Sequence, residues 1–265
     1  MKFRFHWLAF AAFAMLLAAT GCKKHPGCTD PNSLNYDPEA TEDDGTCTYS
    51  PSTLSLSINN IVGSKPFSFD SIYTTTSGRR FKFSAARFHI SSPWLGSNDG
   101  PVPLDKYLQI KANVANYLLD TIDPGSYSSL SFNIGVDSVA NHSDPTLWPD
   151  DHPLSLMNPM QDNWSWSGGY VFLKLEGRVD SSATMNGAID KFFYFHLASD
   201  VMLTPANLAR AFVVDNGASY TFPITIDWGK GIQGLDLPRQ STQTVDNLPL
   251  AQQVMQDFLT GITTP

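Results

Sequence analysis

Residues 141–177, NHSDPTLWPDDHPLSLMNPMQDNWSWSGGYVFLKLEG, hold the side chains of this 265-residue chain best suited to chemistry. His142 and His152 offer imidazole nitrogens, which bind soft and borderline metals readily, and Trp148, Trp164 and Trp166 are large oxidisable rings. Prolines break the segment, so it reads as a loop, and loops held by a rigid sheet are where binding residues concentrate. Other chemistries lack their signatures. The chain has no G-x-S-x-G elbow, no H-E-x-x-H pair and no glycine-rich phosphate loop. No acid, base and nucleophile set can be assembled, so binding without turnover is expected rather than an enzyme. A net charge of -8 with no concentrated basic face argues against a nucleic-acid partner.

The elements that would position these groups are strands. Apolar and polar residues alternate over 54–58, 81–84, 87–90, 130–134, 170–175, 191–197 and 220–226, and Pro-Gly, Asn-Gly and Asp-Gly pairs punctuate the runs. This rhythm predicts an all-β domain over 51–265, an antiparallel β-sandwich or open barrel of immunoglobulin-like size. Helix is sparse. Residues 203–210 suggest a helical turn or two, with Thr204 as N-cap and Pro205 at the first helical position. Leu250, Val254 and Phe258 recur every four residues and predict a terminal amphipathic helix over 248–259. Gly168 and Gly169 permit a bulge or close backbone approach where the loop becomes a strand. Lys174 and Glu176 alternate with Leu173 and Leu175, so they are expected to face solvent or strand neighbours.

The start of the chain sets the compartment. Lys2 and Arg4 precede an apolar run that ends in Ala-Thr-Gly-Cys, the shape of a lipoprotein signal peptide over 1–21 with lipidation at Cys22. The run is short for a membrane span. A lipid anchor in the outer membrane, facing the periplasm, is expected. With Cys22 lipidated, Cys28 and Cys47 remain as an even pair in an oxidising compartment and are expected to form a disulfide. Residues 22–50 then form a lipid-anchored, disulfide-closed acidic spacer with too little apolar surface to fold without the staple. This segment resembles the short GCTDP, NYDP, DDGTC module found near the start of secreted and lipoprotein chains. Its carboxylates also suit a calcium loop, since hard cations take oxygen ligands, although the spacing differs from D-x-D-x-D-G.

Three ordered motifs, FNIGVDSVANHSDPT, WSWSGGYVFLKLEG and FFYFHLAS, resemble the MbnP-like family of methanobactin-associated periplasmic proteins. The resemblance covers most of the chain after residue 54. It implies a β-rich periplasmic copper-binding protein whose partner is a diheme cytochrome c peroxidase-like protein that oxidises a tryptophan to kynurenine. On the matching positions it implies His142 and His196 as metal ligands and Trp164 or Trp166 as the oxidised residue. The chain departs from the pattern at Ala198, where the family has glycine, and in a loop lengthened by Trp148, Asp150, Asp151 and His152. Taken by themselves, two imidazoles from a loop and a strand suit the cuprous ion, and Asp144 is a plausible acceptor for the free ring N–H of His142. His89 and His152 match no motif and stand in reserve. The competing reading is a non-catalytic adhesion or ligand-binding module of the envelope, with Trp94 and Trp148 as contact residues.

Overall fold

The alternating run STLSLSINNIV forms β1 (Ser52–Val62) and turns Leu54, Leu56 and Ile58 to its buried side. The structure is a computed structural model that describes residues 24–157, 160, 169–244 and 246–265. Cys22, Trp164, Trp166 and the 1–21 leader lie outside the described residues. The strands β2 (Arg80–Ser97), β3 (Leu108–Lys111), β4 (Asn116–Ile122) and β5 (Gly125–Ile134) follow. A one-turn helix α1 (Ser138–Asn141) opens the loop region. Then come β6 (Val171–Asp180), β7 (Ile189–Ala198), β8 (Thr204–Val214), β9 (Ser219–Asp227) and helix α2 (Leu248–Leu259).

The strands build two open sheets. The larger runs β8-β5-β2-β6-β7 with antiparallel neighbours, β3 also pairs with β2, and Thr242–Gln243 adds a short parallel strand beyond β7. In the smaller, β4 and β9 pair with β1, and Ile262–Thr263 closes the edge beside β9. Apolar side chains of both sheets join one core cluster, the arrangement of a sandwich; neither sheet closes into a barrel. The antiparallel expectation fails at two places, because Thr242–Gln243 runs parallel to β7 and β9 runs parallel to β1. A parallel pair needs a long crossover, and β2, β5, β6, β7 and β8 of the larger sheet all lie between β1 and β9 in sequence.

Trp228 follows β9 and is fully buried, with its ring centroid 5.8 Å from Phe88 of the larger sheet and 5.5 Å from Phe258 of α2. Its Nε1 donates to Asn60 Oδ1 at 2.8 Å, so the indole is satisfied as well as packed. Helix α2 forms where the four-residue spacing placed it. Asn247 accepts from Leu250 N as N-cap, and Val254 and Phe258 are buried. The helix expected over 203–210 is instead the first part of β8. Thr204, Ala206 and Leu208 are buried while Pro205, Asn207 and Ala209 are exposed, a two-residue period that outweighs the Thr-Pro capping signal. Because β8 is an edge strand, Pro205 is tolerated there.

Gly177 lies where β6 meets the register shift of β2. A Cβ there would sit 2.2 Å from Lys82 O and 2.5 Å from a ring carbon of Phe193. Gly177→Ala is expected to destabilise the domain by about 1–3 kcal/mol through overpacking. Urea unfolding checks this, and an unshifted midpoint contradicts it.

The described residues 24–50 belong to a compact unit separate from the sandwich domain. Cys28 and Cys47 are disulfide-bonded, with Cα atoms 4.8 Å apart. Leu34 and Tyr36 are exposed, so the bridge and polar turns hold this segment rather than a core. The acidic side chains serve those turns. Asp30 accepts from Asn32 N and Tyr49 Oη, Asp37 from Glu39 N, and Asp44 from Thr46 N. Among the described residues no three His, Cys, Asp or Glu side chains gather as a metal-binding group, so the calcium-loop reading has no support. No helix of the described residues is long and apolar enough to cross a membrane.

Candidate metal centre

Alternation along β7 decides where His196 points. Phe193, Phe195 and Leu197 are fully buried in the core, so Tyr194 and His196 lie on the other face of the sheet. In β6, Leu173 and Leu175 take the core side and Lys174 and Glu176 the other, with Lys174 in register opposite His196. His196 Nε2 lies 2.6 Å from Glu176 Oε1, and Lys174 Nζ is 3.4 Å from the same oxygen. The hydrogen bond from His196 holds the Glu176 carboxyl below the ordinary carboxylate value; the Lys174 charge adds to it, and partial burial opposes it. Lys174 is only 4% exposed, where the sequence suggested a solvent-facing position. The strand pattern reports which face a residue takes, and not whether a loop covers that face.

His142 closes α1. Asp137 caps the helix by accepting from Ala140 N, and His142 is its exposed C-cap. His142 Nε2 lies 3.1 Å from Asp200 Oδ2. Asp200 also accepts from Ser138 Oγ at 2.5 Å and Asn141 Nδ2 at 2.8 Å, and these donors, Ser138 foremost, hold its carboxyl below the ordinary value. Asp144, the acceptor expected for His142, instead takes Thr146 N and Oγ1 at 2.9 and 2.8 Å and caps the turn Pro145–Leu147. Asn141 ties the loop to the sheet, since its Oδ1 accepts from Tyr170 N at 2.8 Å. Gly169 permits that approach, because a Cβ there, at φ +73, would lie 2.4 Å from Asn141 Oδ1.

The other two histidines of the β domain have their ring nitrogens engaged. His89 is fully buried, with Nδ1 2.9 Å from Val171 O and Nε2 3.3 Å from Pro153 O, and burial pushes it down to about 4. His152 stacks on Trp148 with centroids 4.1 Å apart, and its Nδ1 accepts from Leu154 N at 3.1 Å. In a neutral ring that leaves the proton on Nε2 and no second lone pair. His142 and His196 differ. Each meets a carboxylate through Nε2, so each neutral ring carries a proton there and a bare lone pair on Nδ1 with no hydrogen-bond partner among the described residues.

Imidazole donors of this kind suit a soft cation. The structure keeps them as two pairs, His142 with Asp200 and His196 with Glu176; among the described residues no third donor joins either. Trp164 and Trp166, the candidates for oxidation, lie outside the described residues. Trp94 and Trp148, the contact residues of the adhesion reading, are half-buried. The acceptors Glu176 and Asp200 were missed from sequence. Their signal was faint: Glu176 sits two residues beyond Lys174 on the strand that pairs with FHL, and Asp200 follows His196 by four.

No curated protein matches the chain. Among solved structures it is similar to MbnP from Methylosinus trichosporium, at 13% identity and a TM-score of 0.49, over 73% of this chain and 81% of that one. The MbnP family model matches residues 51–251, which is most of the sandwich domain, and the chain accordingly belongs to the MbnP family.

Proposed function

We propose that this chain is a periplasm-facing lipoprotein that binds copper through His142 and His196 without turnover of its own. One observation carries the assignment. Of the four histidines in the sandwich domain, these two alone meet a carboxylate through Nε2 and have no hydrogen-bond partner on Nδ1 among the described residues. Carboxylate–imidazole pairs of this kind orient metal ligands and raise their basicity. Family membership supports copper over other soft cations and supports a protein partner, which we take to be a diheme cytochrome c peroxidase-like protein. That partner would oxidise Trp164 or Trp166. The leader and Cys22 support a lipid anchor in the outer membrane.

Competition titration against a cuprous chelator tests the ligand assignment. A His142→Ala, His196→Ala double variant is expected to lose about 100-fold or more in affinity, beyond what loss of outer-shell partners costs. Equal affinity in the variant removes both histidines from the site. Peptide mass mapping of protein produced with and without the partner locates any oxidised tryptophan.

A further inference from the structure

We infer that Glu176 and Asp200 are positioning residues that fix His196 and His142 in the Nε2-protonated tautomer, so that each ring presents Nδ1 to the metal. The inference rests on the copper reading above and goes beyond it by assigning the donor atoms and the groups that hold them. An ionised carboxylate can only accept a hydrogen bond, so the ring nitrogen facing it must be the one that bears hydrogen. His196 Nε2 is 2.6 Å from Glu176 Oε1, and His142 Nε2 is 3.1 Å from Asp200 Oδ2.

Both carboxylates have other partners that hold them in place. Lys174 Nζ lies 3.4 Å from the Glu176 oxygen that His196 uses, and Ser138 and Asn141 donate to Asp200. Each acceptor also stands on a different element from its histidine. Glu176 is on β6 and His196 on β7, while Asp200 follows β7 and His142 ends α1. The tautomer of each ring therefore reports that the sheet and loop have assembled. A neutral ring held this way can bind a cation at Nδ1 without releasing a proton from Nε2.

The test is made on the metal-free and Cu(I)-loaded full chain. Long-range proton–nitrogen spectra of the ¹⁵N-labelled apo protein are expected to show His196 as a single Nε2-protonated tautomer. In Glu176→Ala the ring is expected to exchange between tautomers, and Cu(I) affinity to fall roughly 10–100-fold. Glu176→Gln, which keeps an acceptor oxygen, is expected to recover part of both. The backbone spectrum confirms that each variant stays folded. An Nδ1-protonated His196 in the wild type, or unchanged Cu(I) affinity in folded Glu176→Ala, overturns the positioning role and leaves the copper reading standing. A wild-type protein that binds no Cu(I) overturns both.

Discussion

Trp228→Ala is expected to cost about 3–5 kcal/mol of stability, the range for removing a large aromatic from a packed core. Trp228 is fully buried and touches three parts of the sandwich at once. Its ring meets Phe88 of β2, Phe258 of α2 and Phe67, with centroids 5.8, 5.5 and 6.2 Å away. No neighbouring ring can move in without leaving its own contacts, so the cavity persists. The variant also strips Asn60 Oδ1 of its indole donor. Urea unfolding followed by fluorescence and circular dichroism measures the loss. A cost below about 1 kcal/mol would mean that Trp228 is not the joint between the sheets and α2.

Acidification from pH 6.5 towards 4 is expected to remove about 3 kcal/mol through His89 alone, at 1.36 kcal/mol for each unit of pKa displacement. Burial lowers the folded-state value of His89 to about 4 from an ordinary 6.5. Between those values the unfolded chain holds a proton that the folded chain does not. Stability therefore rises with pH across this window; the contribution is full above 6.5 and is lost as pH falls towards 4. The residue matters to the loop because its nitrogens face Val171 O at the start of β6 and Pro153 O within the loop. Unfolding free energies of wild type and His89→Gln, taken at intervals from pH 7 to 4, isolate the effect by difference. Parallel curves would show that His89 titrates normally in the folded protein.

Most of the sandwich was legible because its strands are half-buried and alternate. Residues 54–58, 130–134, 191–197 and 220–226 all fall within strands, and the four-residue spacing of Leu250, Val254 and Phe258 marks α2. What was not legible depends on what the fold brings over a residue. Lys174 alternates like a solvent-facing lysine but is buried on the face away from the core. Thr204-Pro205 looks like a helix start, yet the period of two in the residues that follow belongs to β8. The parallel pairing of β1 with β9 joins segments from opposite ends of the domain, and no local pattern reports it.

The candidate site divides in the same way. His142 and His196 stand out in their motifs, whereas the acceptor of each ring is chosen by tertiary structure. Asp144 is the nearest carboxylate to His142 in sequence, but its oxygen is taken by Thr146, which lies within the same turn. Asp200 is remote in sequence and reaches His142 because β7 ends beside α1. Glu176 reaches His196 through strand pairing, where Lys174 stands opposite His196 and Glu176 opposite Tyr194. Local sequence thus names the metal-capable side chains, and tertiary structure sets which carboxylate each ring meets.

Copper K-edge X-ray absorption of the Cu(I)-loaded wild type, beside the His142→Ala, His196→Ala double variant, tests the central claim most directly. Imidazole scattering consistent with two ring ligands, and absent from the variant, is the expected result. Scattering without imidazole, or the same spectrum from both proteins, would contradict a copper site built on His142 and His196.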